Sequence, residues 1–225
     1  MRAKIWDVLQ PVLFFFLCMI TVTLVGMGIA SLATNVSALD SQTLTERVKA
    51  LPLYISAGYY VLVMLLMRKA FQVDQMRFGR DHCQWKIWQV ILAVLVVTAA
   101  GFFWSSFLTG SGLENVFTYY KRNAAGAFEG QNPWILILAT VLLGPPAEEM
   151  IFRGMVYRRA RYYWGAPRAL VLSSLLFGLY HGNMIQFLYA LGIGLLLGRI
   201  YEKSGSLKVS IAAHMCVNLL AVFII

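Results

Sequence analysis

Charge is scarce in this chain: only 13% of its 225 residues are Asp, Glu, Lys or Arg, against 60% hydrophobic. Soluble globular domains carry roughly a quarter charged residues, so that class is excluded, and a mean hydropathy of +0.69 agrees. Cysteine is also scarce. Cys18, Cys83 and Cys216 lie far apart, two of them in apolar runs, and they make neither a disulfide framework nor a metal-ligand spacing. There is no His-Glu-x-x-His pair, no internal repeat and no low-complexity tract. No small-residue cleavage site follows the first apolar run, so a cleavable signal peptide is not expected. Positive charge is the one surplus, at +9 net with a pI near 9.6. It reads as loop charge on one face of a membrane and not as a nucleic-acid binding surface.

Long apolar runs are what the chain has instead. They predict a single all-α integral-membrane domain over 1–225, a polytopic bundle of about seven transmembrane helices in a lipid bilayer. After a polar start from Met1 to Gln10, spans are expected at Pro11–Leu32, Leu51–Met67, Ile87–Leu108, Pro133 to about Tyr157, Ala169–His181, Met184–Gly198, and from Lys208 or Val209 onward. Polar loops are expected over 34–50 and 109–132. Asn132-Pro133 suits a helix start, Gly182-Asn183 a break, and Gly192, Gly194 and Gly198 a close helix crossing. With the N-terminus in the cytoplasm, this threading leaves only Arg47, Lys49, Lys121 and Arg122 outside. The remaining loop cations, among them Arg77, Arg80, Arg158, Arg159, Arg161 and Lys203, fall inside, as the positive-inside rule requires. A multi-pass protein of a bacterial cytoplasmic membrane is expected.

The fourth span carries the chain's most unusual stretch, Gly144-Pro145-Pro146-Ala147-Glu148-Glu149-Met150-Ile151-Phe152-Arg153. Ionisable groups at membrane depth are costly and face a bundle interior, where they pair or act. Two prolines remove two backbone donors, which a membrane tolerates only where protein or a water-filled cavity satisfies the freed groups. His181, Asn183, His214 and Asn218 are further polar residues in the C-terminal spans. At ~1.5 Å per helical residue, Glu148 lies ~15 Å from the arginines at 158, His181 ~20 Å from Arg168, and His214 and Asn218 ~9 and ~15 Å beyond Lys208. The layers overlap, displaced toward the cytoplasmic side.

Helical spacing separates the two glutamates. Glu149 and Arg153 are four apart and share a face, fit for an ion pair, which leaves Glu148 for a cavity. His214 and Asn218 are likewise four apart. Phe177 stands four before His181 and is placed to pack beside its ring. Asn183 reads as a helix-end residue, His82 as solvated surface, and the tyrosine and tryptophan clusters as membrane anchors.

The three pairings Glu148-Glu149-x-x-x-Arg153, Phe177-x-x-x-His181 and His214-x-x-x-Asn218, in this order on separate spans, resemble the signature motifs of the CPBP intramembrane proteases. That family includes the CAAX prenyl endopeptidases and bacterial Abi proteins linked to bacteriocin processing or immunity. The resemblance covers 133–225; the first 130 residues match only in being membrane helices. It implies a metal-free glutamate-type endopeptidase without cofactor, acting on a membrane-associated peptide or protein. Glu148 would be the general base, His181 would hold the attacking water, and His214 and Asn218 would stabilise the oxyanion. Glu149, Arg153 and Phe177 would support them. A carboxylate in a poorly hydrated cavity, with preorganised imidazole and amide donors, suits that chemistry. Three alternatives stand beside it. One is a zinc enzyme with Glu148, His181 and His214 as ligands. The second is a non-enzymatic scaffold or immunity protein using the same polar network. The third is a proton-coupled transporter, weakened by the lack of repeated halves.

Overall fold

The computed structural model describes the backbone of residues 2–36, 41–111 and 131–224, and their side chains outside 33–50 and 224. Seven helices form among the described residues: α1 (Arg2–Val36), α2 (Ser41–Phe78), α3 (Ile87–Gly110), α4 (Pro133–Trp164), α5 (Ala166–Tyr180), α6 (Met184–Ser204) and α7 (Leu207–Ile224). The protein is thus an all-α bundle, as the hydropathy pattern implied. Five helices, α1 to α4 and α6, are long and apolar enough to cross a membrane, and α5 and α7 are shorter apolar helices. The 15 residues of α5 rise only ~22 Å, short of the ~30 Å hydrocarbon core.

Helix ends depart from the apolar limits. α1 begins at Arg2 and runs through Pro11, so the polar start is its first turns. α2 begins at Ser41 and continues past Arg68-Lys69 to Phe78, taking in part of the expected 34–50 loop. α4 continues past Tyr157 to Trp164. Hydropathy marks the depth of the bilayer, whereas a helix stops where its backbone must. Gly79, Gly165 and Gly205 adopt φ of +91°, +81° and +68° after α2, α4 and α6, a region that glycine enters without steric cost. Of the expected 109–132 loop, 112–130, with Lys121 and Arg122, lie outside the described residues, as do the side chains of Arg47 and Lys49.

The fourth helix is the centre of the bundle: 61% of its apolar window is buried, against 11% for α3. One core cluster joins Val8 and Phe15 of α1, Tyr59 and Val63 of α2, Phe152 and Met155 of α4, and Phe177 of α5. A second joins Val97 of α3, Ile193 and Leu197 of α6, and Ala213 and Val217 of α7. Asn132 caps α4 by accepting the Trp134 N–H at 2.9 Å. The α5–α6 turn passes through Gly182, and Asn183 caps α6 by accepting the Gln186 N–H at 2.8 Å, both in line with the sequence.

Longer helices meet at one end of the bundle through their charges. Arg77 pairs with Asp7 at 2.9 Å and Arg159 with Asp74 at 2.7 Å, while Arg161 pairs with Glu202 at 2.8 Å and Arg158 with Asp81. The start of α1 and the ends of α2, α4 and α6 therefore share one arginine-rich face, as the threading requires.

The glycines of α6 set its approach to α5. A Cβ on Gly194 would stand 3.2 Å from both the Phe177 ring and Ser174. Gly194→Val is expected to overpack this crossing by ~1–3 kcal/mol, read as a lower melting temperature in detergent; an unchanged melting temperature would show the crossing to be loose.

Candidate active site

Within α4 the helix widens twice, into π-helical turns at Leu138–Leu143 and Phe152–Tyr157, on either side of the two glutamates. Such turns recur at functional sites because they re-aim side chains. Between them, Glu149 and Arg153 form a fully buried ion pair, Nη1 to Oε1 at 2.8 Å. Glu149 Oε1 also accepts from His214 Nδ1 at 3.0 Å, and its Oε2 accepts from the Ser210 hydroxyl. Arg153 Nη2 donates to the Gly194 carbonyl at 3.0 Å, and the guanidinium lies 4.5 Å over the Phe177 ring. Its Nε has no hydrogen-bond partner among the described residues; the ring face offers the cation a partial substitute. One carboxylate and one guanidinium thus tie α4 to α5, α6 and α7.

Glu148 is also buried, at 5% exposure, but sits among fewer partners. Its Oε1 accepts from the Tyr60 hydroxyl of α2 at 3.0 Å, and its Oε2 stands 3.7 Å from His214 Nε2. His214 therefore lies between both glutamates. With Nδ1–H given to Glu149, its Nε2 is the edge turned to Glu148. A separation of 3.7 Å is long for a direct hydrogen bond.

His181 closes α5, its Nδ1 donating to the Phe177 carbonyl at 2.9 Å. That bond fixes the tautomer and leaves Nε2 as an acceptor. Phe177 meets both imidazoles edge-on, His181 at 5.0 Å and His214 at 5.6 Å between ring centroids. The expected Phe177–His181 packing is present, and the same ring also positions the second histidine.

Asn218 has a specific partner: its Nδ2 donates to the Thr140 carbonyl at 2.8 Å. In the π-helical turn the Gly144 N–H bonds to Ala139 O, five residues back. In that register Thr140 O belongs to residue 145, which is proline and has no N–H. The asparagine of α7 supplies the missing donor, and its amide carries a second N–H.

The motif residues of α4, α5 and α7 are therefore brought together, with His214 linked to both glutamates and Asn218 held against the helix wall. Sequence reasoning missed Tyr60, which with Tyr59 and Tyr180 forms a hydroxyl cluster spaced at 3.4 Å beside Glu148. The available signal was two adjacent hydroxyls in mid-span, too deep for the anchoring role that suits Tyr162, 68% exposed. Ser210, one turn before His214, was missed as well. Among the described residues no group of three or more His, Cys, Asp or Glu is arranged to hold a metal ion.

Residues 130–220 match the family model of the Rce1-like proteins, described as type II CAAX prenyl endopeptidase Rce1-like. A Bacillus subtilis (strain 168) protein named "Putative membrane peptidase YdiL" is 24% identical over 170 residues, which are 70% of this chain and 64% of that protein. The aligned part of the chain thus spans less than two thirds of its relative's length. No solved structure matches. Both matches are described as peptidases, and the family match covers the part of the chain that carries Glu148, His181, His214 and Asn218.

Asn218→Leu would leave Thr140 O buried without its donor. A loss of ~1–3 kcal/mol is expected, read as reduced thermal stability in detergent, with Asn218→Gln no substitute because its amide stands one methylene further out. Wild-type stability in Asn218→Leu would remove the capping account.

Proposed function

We propose that this chain is an intramembrane endopeptidase in which Glu148 activates a water for attack on a peptide bond of a membrane-associated peptide or protein. The observation that carries the reading is a buried carboxylate with an open oxygen, held by Tyr60 on one side and facing the Nε2 edge of His214 on the other. Glu148 takes a proton from water as its oxygen bonds to the scissile carbonyl carbon, then returns that proton to the departing amine. His181, with Nδ1 held by the Phe177 carbonyl, accepts from the same water through Nε2 and orients it. The carbonyl oxygen gains charge as the tetrahedral intermediate forms. It is met by His214, when its Nε2 carries a proton, and by the second N–H of Asn218; fixed donors in a dry site are worth far more than in water. Glu149, Arg153 and Phe177 position these groups, and no metal or cofactor enters the scheme.

The arginine-rich end faces the cytoplasm in this reading, by the positive-inside rule. Substrate then reaches Glu148 from that side or laterally from lipid. Prenylated CAAX tails belong to the description of the matching family, and the substrate of this chain is proposed only as a membrane-associated polypeptide.

Glu148→Gln keeps the size and hydrogen bonding of the side chain but removes the base. A loss of ~10²–10⁴ in cleavage rate is expected at unchanged melting temperature. The assay compares membrane peptides from cells carrying wild type and variant, followed by the purified protein on the peptide that accumulates. Normal turnover by Glu148→Gln would end the peptidase reading and favour a scaffold built on the same network. Tyr60→Phe is expected to lower kcat about tenfold, the weight of one hydrogen bond to a charged group, with melting near wild type.

A further inference from the structure

At the arginine-rich end a cavity of about 490 Å³ opens between the end of α2, the connection that follows it, α4 and the end of α6. Its size falls among ligand sites of roughly 300–1,000 Å³, and it lies about three helical turns from Glu148 along α4, or ~15 Å. Four arginines line it, Arg77, Arg80, Arg158 and Arg161, against two carboxylates, Asp81 and Glu202.

The pairing within the wall decides what sign of ligand it suits. Glu202 is occupied by the fork of Arg161, at 2.8 and 2.9 Å, and by the Tyr157 hydroxyl at 2.8 Å. Asp81 accepts from Arg158 Nη2, from the Tyr201 hydroxyl at 3.0 Å and from Gln75 at 3.0 Å. Arg77 is held by Asp7 and the Tyr163 hydroxyl. Both acidic side chains in the wall are therefore spent, whereas Arg80 is not, and Arg158, which holds Asp81 through Nη2 and the Tyr201 hydroxyl through Nε, keeps Nη1 in reserve. Arg80 is exposed, with no hydrogen bond or ion pair among the described residues. Arg158 has a side chain only 10% exposed, and its Nη1 is buried without a partner. A buried guanidinium N–H left unpaired is costly. The carbonyls at the end of α6, which would repel an anion, are also taken: Ser204 O by Gln84 N–H at 2.9 Å and Gly205 O by His82 N–H at 3.0 Å.

We propose that this cavity binds a phosphate group, with Arg80 and Arg158 as its principal donors. Guanidinium forks match phosphate oxygens in pairs. Exposed Tyr162, also in its wall, is of the residue type that anchors at a membrane–water interface, and anionic headgroups concentrate on the cytoplasmic leaflet. The phosphate is that of an anionic lipid headgroup or of a soluble phosphate, and the two sources part experimentally. This proposal stands apart from the peptidase reading and survives its failure.

The test uses the full chain in nanodiscs of phosphatidylcholine with or without phosphatidylglycerol, analysed by native mass spectrometry for retained lipid. A parallel thermal-shift titration uses inorganic phosphate in neutral detergent, with chloride at matched ionic strength. Wild type is expected to retain phosphatidylglycerol over phosphatidylcholine, and Arg80→Ala to hold it about tenfold more weakly while melting as wild type does without lipid. Arg158→Lys, which keeps the charge and loses the fork, is expected to weaken retention too; should it fail to fold, Arg80→Ala decides. A phosphatidylglycerol preference without a phosphate shift assigns the site to a headgroup. A phosphate shift that Arg80→Ala abolishes assigns it to a soluble phosphate. Equal retention of both lipids with no phosphate shift, or effects that persist in Arg80→Ala, would overturn the proposal.

Discussion

The buried pair between Glu149 and Arg153 is the contact on which the rest of the bundle depends. Both side chains are shut off from solvent, and such a pair has little net value to folding while losing one partner costs ~3–5 kcal/mol. Its use here is specificity. The pair accepts or donates to α6 through Gly194 O and to α7 through Ser210 and His214, and it stacks on α5 through Phe177. Any slip of these helices by one residue would strand a charge in an apolar interior. By fixing Nδ1 of His214, Glu149 also determines which edge of that ring reaches its neighbour Glu148.

A second constraint comes from proline in helices that cross lipid. Pro11 has no N–H for the carbonyl of Asp7, four residues back, and Arg159 Nη1 donates to that carbonyl at 2.6 Å. Pro145 has none for Thr140 in the wider π register, and Asn218 donates there at 2.8 Å. In both places a side chain from another helix supplies what the proline withholds. Water supplies such donors at the surface of a soluble protein. At the depth of Pro145 the partner has to be protein, and at both of these positions it comes from another helix. The polar residues near the prolines are thus partly explained before any chemistry is invoked.

Local relations were legible in the sequence. The spacing of four between Glu149 and Arg153, and between Phe177 and His181, becomes contact on a helix whatever the tertiary fold. Asn132 and Asn183 announce their caps by residue type. Depth arithmetic placed three spans' polar groups in one layer because rise per residue is nearly invariant. Other features needed the fold. Tyr60 reaches Glu148 across 88 positions of sequence, and no local rule links them. The partner of Asn218 depends on a π register that five apolar residues do not reveal. The end of α4 lies beyond the apolar span because Asp74 of α2, Asp81 of the connection after it and Glu202 of α6 pair with Arg159, Arg158 and Arg161 and let the helix carry them outward as structure.

The adjacent glutamates differ in how many partners hold them. Glu149 has both oxygens committed to three donors on two helices, and protonating it would break the neutrality of Arg153 inside the core. Glu148 has one short donor, Tyr60, and an imidazole edge at 3.7 Å. Its second oxygen carries no hydrogen bond among the described residues, so no packing contact depends on it. On a helix, adjacent residues point about 100° apart, so the same backbone segment can sink one carboxylate into the frame and turn the other toward the space between helices. The saturated member ties the frame together around the unsaturated one, and the role proposed for Glu148 rests on that division.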